Sequence, residues 1–136
     1  MPHINLPAVL VAALAAFALG GLWYSPALFG NAWTKLMALS EDQLAEMKKG
    51  AAGAYITGFV TSLVIAYVMA LLVAYTEFAS VSKGLALGIL VGAGIVVVFG
   101  LQSRAFTNKQ YGLFAVDSGY QMVSVIIMTL IVAAWQ

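Results

Sequence analysis

AAGAYITGFVTSLVIAYVMALLVAY, residues 51–75, runs for 25 residues without a charged side chain. About 18–20 predominantly apolar residues suffice for a helix to cross ~30 Å of hydrocarbon, so this stretch reads as a membrane span. The same reading extends outward to residues 6–24, 84–101 and 113–135, each near or above that length. Composition agrees, at 63% hydrophobic and 8% charged, with a mean hydropathy of +1.00. A soluble domain of 136 residues could not keep that much apolar surface from water. The expected fold is an all-α membrane protein, one domain over residues 1–136 with four transmembrane helices in a bundle.

The residue complement excludes several chemistries. There is no cysteine, hence no disulfide framework, thiolate metal site or thiol nucleophile. The one histidine, His3, lies in the N-terminal tail, so no multi-histidine haem or zinc site forms within one chain. Neither a metal nor a cofactor is expected. The net charge is +1 and no basic cluster could supply the phosphate contacts of a nucleic-acid binder. The first apolar stretch lacks a basic leader and exceeds the 7–15 apolar residues or so of a signal peptide, so it reads as a retained span.

Between the spans, local signals are sharp. Pro26 cannot donate a hydrogen bond and disfavours helix at Ser25, which ends the first span near Trp23-Tyr24-Ser25-Pro26. From residue 27 to 37, Leu28, Phe29, Ala32, Trp33, Leu36 and Met37 recur at helical spacing, predicting a short amphipathic helix in the membrane interface. Ser40 with Gln43 forms a capping box, followed by Glu41 and Asp42 in a first turn and Lys48 and Lys49 in a last one. The short link at residues 76–83 predicts that spans two and three are antiparallel neighbours. Lysine and arginine set the orientation. Lys35, Lys48, Lys49, Arg104 and Lys109 share one side and Lys83 alone holds the other. The first and third loops are therefore expected in the cytoplasm and both termini outside. The halves share a plan, but matching between them is faint, as in Gly21-Leu22 against Gly100-Leu101.

Helices in lipid associate through close backbone approach, so small residues at every fourth position mark interfaces. Span two carries Gly50, Ala54, Gly58, Ser62, Ala66, Ala70 and Ala74. Span three carries Gly84, Gly88 and Gly92, resuming at Gly100, and span one carries Ala8, Ala12, Ala16 and Gly20. These ridges serve either packing within the chain or, for at least one of them, a contact between subunits. Because four thin helices cannot enclose a roomy aqueous path alone, a homo-oligomer in the lipid bilayer is the expectation.

Chemistry concentrates on span four. Asp117 is the ionisable side chain set inside an apolar run, with Gln121 at i+4, Ser124 at i+7 and Tyr120 beside them on one face. Arg104 and Lys109, just upstream, are its candidate partners. Either Asp117 lines a cavity as a proton or cation ligand, or it anchors the third loop to span four. Trp23 and Tyr24 belong to the same side, as binding residues or as members of the interfacial aromatic belt. Trp33 reads as an interfacial anchor, and Thr57, Thr61 and Ser62 as hydroxyls bonded within their helix or to a neighbour. Any site is expected at the mouth between spans one and four.

The segment Gly21-Leu22-Trp23-Tyr24-Ser25-Pro26-Ala27-Leu28-Phe29-Gly30, with Trp33 following, resembles the opening signature of a bacterial membrane family, domain of unknown function 1761. Asp117-Ser118-Gly119-Tyr120, followed by Met128 and Trp135, is similar to its closing signature, with Thr129 where the family pattern often has glycine. The resemblance covers the whole chain. It implies a four-span protein of the bacterial inner membrane, and it implies neither an activity nor catalytic residues.

Two functions follow. The first is a homo-oligomeric transporter or channel for a small solute or ion. The alternative is a structural or accessory subunit that binds another membrane protein or a lipid. With no histidine, cysteine or paired carboxylates in the membrane, the chain is not expected to be an enzyme.

Overall fold

The computed structural model describes residues 2–106 and 110–135. Lys109, counted above among the cations of the third loop, lies outside the described residues. The elements are α1 (Leu6–Trp23), α2 (Gly30–Met37), α3 (Glu41–Lys49), α4 (Ala51–Thr76), α5 (Val81–Val91), α6 (Val98–Ala105) and α7 (Tyr111–Ala134). A π-helical segment, Gly92–Val97, joins α5 to α6 without a break. Four helices are long and apolar enough to span a membrane: Leu6–Trp23, Ala51–Thr76, Val81–Ala105 and Tyr111–Ala134. Among the described residues there is no strand.

The helix ends follow their local chemistry. The Asn5 side chain accepts the Ala8 N–H to start α1 and donates from Nδ2 to the Trp135 carbonyl at 2.7 Å, tying the first span to the end of the last. The capping box at the head of α3 is complete: the Ser40 hydroxyl accepts the Gln43 N–H, and the Gln43 side chain accepts the Ser40 N–H. Ser80 caps α5, so the third span begins at Val81 and reaches Ala105, longer at both ends than the apolar run suggests.

One expectation about packing fails. Spans two and three are joined by four residues, yet α4 and α5 make no substantial packing contact with each other. Glu77 takes a left-handed conformation (φ 55°), Phe78 packs at the margin of the core, and each of the two helices packs on α7 instead. Helix α7 is the hub: it packs on α1, on α4 and along the whole of α5–α6, while α1 also packs on α4. The core gathers Val9, Ala13, Met69, Val73, Met128 and Val132 at the end of the bundle that holds both termini. Burial thins toward the opposite end, where residues 52–57 of α4 are exposed.

The small-residue ridges are engaged within the chain. Ala12, Ala16 and Ala66 are fully buried, Ser62 is buried and donates to the Gly58 carbonyl, and Gly58 faces Phe17. Gly84, Gly88 and Gly92 press on α7 so closely that a Cβ at Gly84 would sit 2.6 Å from that of Ala133, and one at Gly88 2.9 Å from the Ile126 backbone. Thr129 is fully buried, donates to the Val125 carbonyl and packs beside Gly88. Gly20 lies against the Tyr120 hydroxyl.

The π-helical segment has a geometric effect. In an unbroken α-helix at about 100° per residue, Gly100 would point roughly 80° away from Gly92. A π-turn accommodates about one extra residue, which cancels most of that rotation. Gly100 accordingly still faces α7, beside Ser118 and Phe114, and Arg104 one turn later reaches Asp117.

Candidate functional site

The turn after α1 builds one side of the site. Its backbone folds tightly, with the Phe29 N–H donating to the Trp23 carbonyl at 2.9 Å and the Gly30 N–H to the Ser25 carbonyl at 2.9 Å. A Cβ on Gly30 would lie 2.3 Å from the Tyr24 carbonyl oxygen, so only glycine permits this closure. The turn consumes residues 24–29, so the amphipathic helix starts at Gly30, three residues later than its apolar spacing suggests. It also folds back on α7, where Leu36 packs against Gly112.

This return brings the residues on both sides of the turn to Asp117. Tyr24 Oη donates to Asp117 Oδ1 at 2.9 Å and Trp33 Nε1 donates to the same oxygen at 3.1 Å. Arg104 Nη2 lies 3.6 Å from Oδ2, and both side chains are about one-quarter exposed. Trp23 donates its indole N–H to the Val116 carbonyl at 3.0 Å and lies flat enough against Gly119 that a Cβ there would come within 3.1 Å of the ring. Tyr120 donates to the Ala16 carbonyl at 3.2 Å and meets the Tyr24 ring edge-on at 5.4 Å. Burial, and then the hydrogen bond and charge of Asp117, push the Tyr24 hydroxyl above its ordinary pKa, which keeps it a donor.

These contacts bear on three of the sequence readings. Trp23, Tyr24 and Trp33 make specific hydrogen bonds to α7, beyond what a belt of interfacial aromatics requires. Of the two candidate partners, Arg104 pairs with Asp117, while Lys109 lies outside the described residues. The mouth between the first and last spans is filled by the rings of Trp23, Tyr24 and Tyr120.

The open space lies on the other flank of α7. One hollow, of about 210 Å³, has Gly100, Arg104, Phe114, Asp117, Ser118 and Gln121 among its walls. A second, of about 260 Å³, lies between α4 and the π-helical segment over α7, with Thr61, Ser62, Val96, Gln121, Ser124 and Met128 among its walls. It exists because α4 and α5 do not close on each other. Gln121 lines both hollows, so they adjoin. The expected face of Asp117, Gln121 and Ser124 thus borders the two hollows in turn, with Tyr120 on the second.

Ser124 is the unusual member. It is 4% exposed, and its hydroxyl has no hydrogen-bond partner. Helical serines and threonines satisfy themselves on a carbonyl one turn back, as Thr61, Ser62, Thr76 and Thr129 do here. A buried hydroxyl left unpaired costs about 1–3 kcal/mol. The π-helical segment on the facing wall is a second irregularity of the kind that gathers at functional sites. Sequence reasoning placed Ser124 on the polar face but had no signal for the segment opposite it. Among the described residues no cluster of histidine, cysteine, aspartate and glutamate could hold a metal ion.

The family model described as Protein of unknown function (DUF1761) matches residues 7–133, and the chain belongs to that family. No curated protein and no solved structure matches it.

Proposed function

We propose that this member of the DUF1761 family is a small transporter that takes a polar or amphipathic solute into the groove between α4 and α5–α6. The observation that carries the reading is the buried, unpartnered Ser124 hydroxyl on a track that starts at the Arg104–Asp117 pair. Polar side chains at membrane depth that line a hollow are the usual mark of a solute path. The role is binding and passage without covalent chemistry, in keeping with the residue complement. The groove has walls in α4 and the π-helical segment and a floor in α7. A second copy of the chain supplies the missing wall, which gives the homo-oligomer a purpose. The ridges engaged inside one chain leave that contact to other surfaces.

The setting proposed with it is the bacterial inner membrane. The lysine- and arginine-rich side, with Arg104, is cytoplasmic, α2 lies at that interface, and both termini are periplasmic.

One observation favours a second reading. Asp117 is held by Tyr24, Trp33 and Arg104 together, as an anchor of three elements. In an accessory subunit that binds a membrane protein or lipid, this clasp would maintain the docking shape.

The test uses the absence of natural cysteine. Ser124→Cys and, as a core control, Met69→Cys are each treated with a small water-soluble methanethiosulfonate in delipidated detergent solution. Rapid modification of position 124 with none at 69 supports the solute groove. Equal inertness of both removes it.

A further inference from the structure

The two hollows differ in chemistry, and their order along α7 is informative. The first is polar and holds a cation and an anion side by side, Arg104 and Asp117. The second presents mostly apolar surface, with Ile65, Val96, Val125 and Met128 interleaved with Thr61, Ser62 and Ser124, and lies between two helices that do not close over it. From Asp117 to Met128 the track covers eleven residues of helix, roughly 16 Å at 1.5 Å per residue. That is about half of a ~30 Å hydrocarbon core, the depth of one leaflet.

The charged pair is incompletely satisfied. The Arg104 guanidinium makes no hydrogen bond among the described residues, and the Asp117 Oδ2 it pairs with is 3.6 Å away. Among the described residues, Asp117 Oδ1 accepts two hydrogen bonds, while Oδ2 faces Arg104 and accepts none. A guanidinium fork matches a phosphate, and a free carboxylate oxygen matches an ammonium. A ligand with both charges a few ångströms apart complements the pair without leaving either group uncompensated.

We infer that the groove holds one aminophospholipid of the leaflet on the Arg104 side, its phosphate on Arg104, its primary ammonium on Asp117 Oδ2 and one acyl chain along α7 toward Met128. A lipid is favoured over a soluble aminophosphate because the polar hollow continues into an apolar one. The ester region of such a lipid brings acceptors past Gln121 to the unpartnered Ser124 hydroxyl. This inference rests on the reading of the groove as a ligand site and names its ligand class.

The experiment is native mass spectrometry of the full chain released from nanodiscs with equal parts phosphatidylethanolamine, phosphatidylglycerol and phosphatidylcholine of identical chains. The expected result is one retained phosphatidylethanolamine, about tenfold over either competitor, equivalent to ~1.4 kcal/mol. Arg104→Gln should abolish the preference and Arg104→Lys should keep part of it. Val96→Trp, which fills the apolar hollow and touches neither charged residue, should abolish retention. Equal retention of the three lipids, or dominance of phosphatidylglycerol, overturns the inference. A parallel arm labels Ser124→Cys in delipidated protein and then adds phosphatidylethanolamine or soluble phosphoethanolamine. Protection by the lipid alone supports the inference, and equal protection by the soluble compound overturns its acyl-chain part. Labelling without protection rejects the lipid and leaves the solute groove standing, whereas an absence of labelling rejects the groove itself.

Discussion

Trp33 and Asp117, 84 residues apart in the chain, are joined by an indole N–H donated to a carboxylate oxygen at 3.1 Å. The bond fastens a helix that lies outside the four spans to the helix at their centre. Removing the donor while keeping an aromatic ring, as in Trp33→Phe, should cost about 1–2 kcal/mol, the low end for a hydrogen bond to a partly exposed charge. Thermal unfolding in detergent would measure the loss, and limited proteolysis should cut the 30–49 segment faster. Tyr24→Phe removes the other donor to the same oxygen, so the double variant should depart from additivity.

Asp117→Asn separates the two functional readings. The anchor role predicts a lower melting temperature, by about 1–3 kcal/mol of stability, because Arg104 loses its counter-charge and both donors face a neutral amide. The transport role predicts altered flux in proteoliposomes beyond what that loss of stability explains. Unchanged flux in a variant that is still folded would take away the main residue-level support for transport.

Close backbone approach gives a sharp contrast among glycines. Gly84→Ala places a methyl group 2.6 Å from the Ala133 Cβ, whereas a methyl group at Gly53 meets nothing within 4 Å. The first should lower stability by about 1–3 kcal/mol through overpacking. The second should be neutral or slightly favourable, since alanine is the better helix former. Equal melting temperatures would contradict the packing of α5 on α7.

Ser124→Ala should raise the stability of the delipidated protein by up to about 1 kcal/mol, because it removes a buried hydroxyl with no partner. Ser62→Ala, which removes a satisfied hydroxyl, should not. In native membranes the gain at 124 should shrink or reverse, as a bound ligand would then lose a hydrogen bond. Melting curves before and after lipid addition decide the matter.

Orientation can be read with cysteines introduced one at a time. Lys48→Cys should react with a membrane-impermeant reagent only from the cytoplasmic side, and Ser80→Cys only from outside. Labelling of position 80 from inside would reverse the assignment.

Much of this architecture was legible in residue order. The four spans, the stop at Pro26, the capping box of Ser40 and Gln43, and the shared face of Asp117, Gln121 and Ser124 all depend on local periodicity or on residues three or four apart. What escaped reading depends on distance in the chain. Nothing near Trp33 says that its indole will meet Asp117, because an interfacial tryptophan and a hydrogen-bonded one look alike in one segment. A short link predicts adjacent helices, yet the apolar faces of α4 and α5 both fit α7 better than each other. The same failure hid the groove, which exists only where those two helices part.

The widened turn at Gly92–Val97 also bears on how this chain tolerates length changes. It stores one residue's worth of helical phase. Losing a single residue inside it would let the segment revert to ordinary α-helix with Gly84 and Arg104 still directed at α7. The same loss between Val98 and Ser103 would swing Arg104 about 100° off its partner. A one-residue deletion in this span is therefore buffered at one place, and the reading frame of its contacts survives there alone.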